Sequence, residues 1–238
     1  MTDAAGGSGA VLGDDVGAHY RACRTRFIEL VRSLDQSEVD IAVPSCPGWT
    51  VRDVLGHVAA IPDDALHGRL AGIPDDVQTA DQVRRSRELT VEDLLVRWEQ
   101  QSEQFEPILT SVGLPLAAAA IDVATHEQDV RGATGRPGHR ANDTLRWSIS
   151  RLVRRFHERL AEANLAPVRV VIDGDVLSEG SPDGLRLEAT SFEVFRSFLG
   201  RRSADQVRGL TWSDDPGDVL GAFFVFGPAA NDIVEKDF

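Results

Sequence analysis

The feature that most limits what this chain can fold into is a change of hydrophobic period near residue 164. Before it, apolar residues recur at threes and fours; after it they gather in short β-type runs. Over residues 15–35, Tyr20, Cys23, Phe27, Leu30, Val31 and Leu34 mark an amphipathic helix. Residues 36–49, "QSEVDIAVPSCPGW", hold two prolines and a glycine and read as a loop. Thr50 and Asp53 form a capping-box start, followed by Val51, Val54, Leu55 and Val58 on one side, and Pro62 is expected to kink or end this helix. Residues 72–90 are a polar connection with a short helix over 80–87. Thr90 and Asp93 then open a long helix carrying Leu94, Leu95, Trp98, Phe105, Ile108 and Leu109. "SVGLP" breaks it. An Ala-rich helix follows over 116–134, with Gly135 as its stop, and another over 143–163 with Leu145, Ile149, Leu152, Phe156 and Leu160 inward.

Beyond residue 164, "PVRVVIDGD" and "GLRLEAT" read as strands, "SFEVFRSFLGRR" as a helix and "LGAFFVFGP" as a buried strand. The expected architecture is α+β and mainly α: a flexible leader at 1–10, a helical bundle over 11–164, and a small α+β domain over 165–238. A chain of 238 residues can bury the core this requires.

Lys plus Arg is 25 and Asp plus Glu is 38, a net charge of −13, which argues against a nucleic-acid partner apart from a local patch at Arg151, Arg154 and Arg155. Two cysteines, Cys23 and Cys46, make neither a disulfide framework nor a four-cysteine zinc site, and point to a reducing cytoplasm. No run approaches the length of a membrane span, and the start lacks the pattern of a signal peptide, so no membrane partner is expected.

Chemistry concentrates in residues 121–131, "IDVATHEQDVR". Asp122 and His126 stand four apart and share a helix face, with Asp129 three further on; Glu127 points elsewhere, towards solvent. A carboxylate and an imidazole so spaced are two ligands for a divalent metal, and His57 from a facing helix makes three, leaving a coordination position open. Two histidines and a carboxylate suit zinc first, and also nickel or iron. On spacing alone, such a pair is more often a surface or capping pair, and a lone His57 a core histidine. Asp129 suits a place behind a ligand imidazole, orienting it through its far nitrogen. Cys46 has no feature that would activate it. Trp49 either walls a pocket or staples loop to helix. His19, His67, His139 and His157 have no partner spacing.

"CPGWTVRDVLGHV" (46–58), the acid-x-x-x-His-x-x-Asp pattern at 122–129 and "FLGRRSADQV" (198–207), in that order, resemble the mycothiol-dependent maleylpyruvate isomerase family. The resemblance implies a DinB-like metal-binding four-helix bundle followed by a small α+β domain. It implies His57, Asp122 and His126 as metal ligands; the family's usual acid is a glutamate, one methylene longer than Asp122. It also implies a low-molecular-weight thiol, mycothiol or similar, as cosubstrate, acting as an isomerase or thiol transferase on a small electrophile. A carboxylate on that substrate would call for an arginine, with Arg201 or Arg202 as candidates. A non-catalytic ligand-binding or regulatory protein and a metal-dependent hydrolase are the alternatives.

Overall fold

A computed structural model of the protein describes residues 12–70 and 72–235; the leader expected at 1–10 lies outside them. Four long helices, α1 (Val16–Arg32), α3 (Val51–Leu66), α5 (Val91–Val112) and α6 (Ala117–Thr134), make the bundle, with α2 (Gln36–Val39) and α4 (Asp76–Ser86) in its connections. Both α1 and α3 pack on α5 and on α6, so the ring runs α1, α5, α3, α6. α7 (Asp143–Glu162) packs on α6 and α1 and leads into the second part.

The helix starts follow from their caps. Thr50 Oγ1 accepts from the Asp53 N–H at 3.3 Å while the Asp53 carboxylate accepts from the Thr50 N–H at 3.0 Å. Thr90 and Asp93 do the same for α5. Gly135, with φ 65°, ends α6 in the left-handed conformation. Bare backbone at Gly17 brings α1 against α5: a Cβ there would lie 2.2 Å from Thr110 Oγ1 and 2.5 Å from the Glu106 carbonyl oxygen. Two expectations need correction, and a third, that Pro62 kinks or ends its helix, is narrowed. Residues 36–49 are not all loop, because Asp35 and Glu38 form a capping box that folds 36–39 into a helical turn. Pro62 does not end α3, which runs on to Leu66. The short helix expected over 80–87 begins at Asp76, where Asp75 caps it through Gln78.

The second part holds strands β1 (Arg169–Ile172), β2 (Asp175–Ser178), β3 (Arg186–Ala189) and β4 (Thr211–Trp212), in the order β2-β1-β3-β4. β1 and β2 form an antiparallel hairpin through Asp173 and Gly174, both at positive φ as a two-residue primed turn requires. β1 pairs parallel with β3, and β3 antiparallel with β4. Helix α8 (Ser191–Phe198) packs on α7, followed by α9 (Ala204–Arg208) and α10 (Val219–Phe223). The run "LGAFFVFGP" is therefore not a strand: its first half is α10, whose Phe223 stacks on Phe198 at 4.2 Å and meets Phe156 edge-on at 5.2 Å. A short, uniformly apolar run carries no period to separate helix from strand.

The chain is thus mainly α with a small four-stranded sheet, and its buried apolar residues form one cluster spanning both parts. Arg151, Arg154 and Arg155 are not a free basic patch, since Asp14, Glu158 and Glu162 pair with them. Among the described residues no helix is long and apolar enough to cross a membrane.

Candidate metal centre

The turn Cys46-Pro47-Gly48-Trp49 leads into α3. The Trp49 N–H donates to the Cys46 carbonyl at 2.9 Å and Gly48 takes φ 83°, the pattern of a type II turn with proline at its second position. The turn sets the Trp49 ring 5.4 Å from His57 and 6.4 Å from His126, centroid to centroid.

His57, on α3, meets Asp122 and His126, on α6. His57 Nε2 lies 3.4 Å from Asp122 Oδ2, and His126 Nε2 lies 3.6 Å from Asp122 Oδ1. The imidazole rings stand nearly perpendicular, 5.1 Å apart. One ligand atom from each of the three residues falls within 4.8 Å of the other two. These two contacts are long for hydrogen bonds and are close to the edge of about 3.3 Å of a tetrahedron with zinc–ligand bonds of 2.0–2.1 Å.

The far sides of the rings decide the proton positions. His57 Nδ1 is 2.8 Å from Gln82 Oε1, and His126 Nδ1 is 2.9 Å from Asp129 Oδ2. Gln82 spends its amide hydrogens on Asp64, at 2.8 Å, so its oxygen faces His57. Each imidazole can therefore donate from Nδ1, and a ring in that tautomer turns a lone pair at Nε2 towards Asp122. Two lone pairs and a carboxylate then converge with no hydrogen among them, and Asp122 Oδ2 is buried without a hydrogen-bond partner. A divalent cation satisfies all three groups. Burial opposes charge on both His57 and Asp122. Even so, the Asp122 carboxylate and Gln82 hold the His57 pKa above its ordinary value, and His126, His57 and Arg201 hold the Asp122 pKa below its own. Both directions show that positive charge is favoured beside Asp122. The histidine side chains are 4% and 7% exposed but that of Asp122 is 35%, so the approach from solvent is on its side.

Behind His126, the fully buried Asp129 gathers partners from the second part of the chain. Arg196 Nη1 reaches its Oδ1 at 2.6 Å, and Arg201 Nη2 its Oδ2 at 3.1 Å. Burial works against this carboxylate, but Arg201 and Arg196 hold its pKa well below the usual range. The Cys46 thiol sits 3.4 Å from Asp129 Oδ2; burial and that carboxylate push its pKa up, so it is not a poised nucleophile. Of the two arginines singled out in the sequence, Arg201 reaches the centre. Arg202 does not: it is turned onto Glu193 and Glu235, at 2.8 and 2.9 Å. Glu127, expected to face solvent, is fully buried between Arg26 and Arg131, because its flank of α6 faces α1 and not water.

Gln82 and Arg196 escape a sequence reading. Gln82 depends on Gly56, the residue before His57: a Cβ there would stand 2.5 Å from Ser86 Cβ. Without one, Ser86 Oγ donates to the Gly56 carbonyl at 3.0 Å, α4 seats against α3, and Gln82, one turn earlier, meets the imidazole. No signal near Gln82 announces this. Arg196 did carry one: it is a charge inside the apolar stripe of Phe192, Phe195 and Phe198.

Residues 20–114 match the model of the mycothiol maleylpyruvate isomerase N-terminal domain family. Two crystal structures of the mycothiol-dependent maleylpyruvate isomerase are similar. One aligns at 14% identity with a TM-score of 0.49; the other, a histidine-to-alanine mutant, aligns at 12% identity with a TM-score of 0.53. Each alignment covers 84% of this chain and 92% of the other. No curated protein sequence matches. The likeness to the mutant structure speaks for a shared fold, and the domain match takes in His57 but ends before Asp122 and His126. Residues 20–114 of this chain are thus similar to the N-terminal domain of the mycothiol maleylpyruvate isomerase family.

Proposed function

We propose that this protein is a metal-dependent enzyme that uses a low-molecular-weight thiol, mycothiol by family, to isomerise a small carboxylate-bearing electrophile or to join the thiol to it. The observation that supports this is the convergence of His57 Nε2, His126 Nε2 and the Asp122 carboxylate within 4.8 Å of one another. A divalent cation, zinc before nickel or iron, supplies when bound the Lewis acidity that releases the proton of a thiol at neutral pH. His57, His126 and Asp122 would hold it, while Gln82 and Asp129 keep the two imidazoles in the ligating tautomer.

In the isomerisation, a thiolate adds to a cis alkene conjugated with a carbonyl. The carbon–carbon bond becomes single and turns, and loss of the same thiolate restores the alkene as trans, so the thiol is regenerated and nothing is oxidised. In the transfer, the adduct takes a proton and keeps the sulfur. The chain's part is to bind and orient. Asp122 and Asp129 are balanced by Arg196 and Arg201, so a dication leaves the centre net positive and suited to an anionic substrate. Arg201, with a side chain 15% exposed, is the arginine within reach of a substrate carboxylate. In this reading the bundle of residues 11–164 holds the metal and the domain of 165–238 supplies the arginines. Free, buried Cys23 and Cys46 suit a reducing cytoplasm.

Elemental analysis of the purified protein, followed by turnover of a panel of activated cis alkenes with and without thiol, tests the proposal. Stoichiometric metal and strictly thiol-dependent turnover are expected. Ester or amide turnover without thiol would make the protein a hydrolase instead, and tight binding of an intact ligand without metal would make it a binding protein.

A further inference from the structure

We infer that Arg196, on α8, is a positioning residue for the metal centre: it fixes the Asp129 carboxylate that orients His126. The inference rests on reading His57, Asp122 and His126 as metal ligands.

Arg196 touches both features that set the His126 ring. Its Nη1 donates to Asp129 Oδ1 at 2.6 Å and to the carbonyl of Thr125, the residue before His126, at 3.3 Å. One nitrogen thus ties the acid behind the ring to the backbone that carries it. At 1% exposure the side chain cannot meet substrate, which separates it from Arg201.

Stability does not account for its presence. Arg196 lies among Phe195, Phe198 and Phe192 on the buried side of α8. Its Nε has no hydrogen-bond partner, and its Nη2, though 2.5 Å from Glu235 Oε1, makes an ion pair without hydrogen-bond alignment. A buried cation with an unmatched donor is a costly way to fill an apolar face. Nor do its partners depend on it for charge: Asp129 keeps Arg201, and Glu235 keeps Arg202. Direction is duplicated only loosely. Arg201 bonds both oxygens, Nη2 to Oδ2 at 3.1 Å and Nε to Oδ1 at 3.4 Å, and Oδ2 is also the oxygen that faces His126 Nδ1. Arg196 makes the shortest bond to the carboxylate, 2.6 Å to Oδ1, and without it Oδ1 keeps only the long bond from Arg201.

The test is titration of the full-length protein with Co(II), read by its visible absorption, alongside thermal unfolding. Arg196→Met is expected to fold with a midpoint close to wild type and to bind Co(II) about 10- to 100-fold more weakly. Its altered absorption bands should report a changed ligand geometry. Arg196→Lys, which restores the charge and a single donor, should recover part of the affinity; a purely packing role predicts no such rescue. If Arg196→Met does not fold, Asp129→Asn carries the test and should show the same loss. Folded Arg196→Met, or in its place Asp129→Asn, with wild-type affinity and spectrum overturns the positioning role alone. A folded wild-type protein that binds no Co(II) overturns the metal centre together with it.

Discussion

Glu127 and Asp129 are two residues apart on α6, both carboxylates are fully buried, and both are held by two arginines. Glu127 is held from within the bundle: Arg26 on α1 and Arg131 one turn along the same helix take both its oxygens at 3.0–3.2 Å. Asp129 is held by Arg196 and Arg201, from the second part of the chain. The chemistry of the two braces is alike, and what separates them is what else each acid can touch. Glu127 uses its oxygens to hold α1 and α6 together. Asp129 shares its Oδ2 between Arg201 and Nδ1 of His126. A buried, doubly paired carboxylate is thus not in itself a mark of function; a titratable third neighbour makes the difference.

The largest effect should come from removing that neighbour, the proposed ligand His126. His126→Ala is expected to bring metal content in the purified protein to background and to abolish thiol-dependent turnover, with the fold kept by circular dichroism; full metal content would break the assignment. The next pair divides the two braces. Glu127→Ala removes a fully buried carboxylate from two half-buried arginines and should cost about 3–5 kcal/mol in urea unfolding, leaving Co(II) affinity of the folded protein unchanged. Asp129→Asn should weaken metal binding by about 10- to 100-fold. Were both variants to lose metal equally, the distinction between a packing brace and a positioning brace would be lost.

How far the sequence could reveal this follows the range of the forces involved. The helices were legible because apolar spacing and caps are local: Thr50 with Asp53, and Thr90 with Asp93, act over three residues. The pairing of Asp122 with His126 was legible for the same reason, as one turn of helix fixes it. His57 could be set beside them only as a histidine of a facing helix, since no local spacing links it to the pair, and the resemblance gave that placement its weight. Glu127 was misread because spacing gives a residue's direction around the helix but not what lies there, here α1 and its Arg26. Arg202 was weighed beside Arg201 because adjacent residues cannot be told apart before the turn after α8 sends one to Asp129 and the other to Glu193. Strand and helix were confused at residues 220–228, where an unbroken apolar run has no period.

Two glycines extend the comparison to backbone packing. Gly17 and Gly56 each admit a neighbouring helix at a distance that a Cβ forbids. Alanine at either should destabilise the fold by about 1–3 kcal/mol through overpacking. Gly56→Ala should also weaken metal binding, because pushing Ser86 away withdraws Gln82 from His57; Gly17→Ala should leave metal affinity untouched. The measurement is Co(II) affinity against unfolding free energy for both variants, and a Gly56→Ala protein with unchanged affinity would show that Gln82 is dispensable.

The smallest effect concerns the two histidines. His126 has a carboxylate directly behind it, whereas His57 has the neutral Gln82, with Asp64 one step further back, paired to Arg69 and Arg85. Burial raises the pKa of Asp64, but its hydrogen bonds to Arg69, Gln82 and Arg85 outweigh this and leave the pKa below the ordinary 3.8. A depressed folded pKa stabilises the protein above the unfolded value, and that contribution is lost as pH falls through the folded one, because the unfolded chain then binds the proton more readily. Asp64→Asn should therefore be less stable than wild type at pH 7, with a gap that holds down to about pH 5 and narrows progressively below it. Metal content at pH 7 should hardly change, since the Gln82 oxygen still faces His57. Unfolding curves from pH 7 to 3 decide this: a gap that widens on acidification would mean that Asp64 gains from protonation, and its ion pairs would not be the support that the geometry describes.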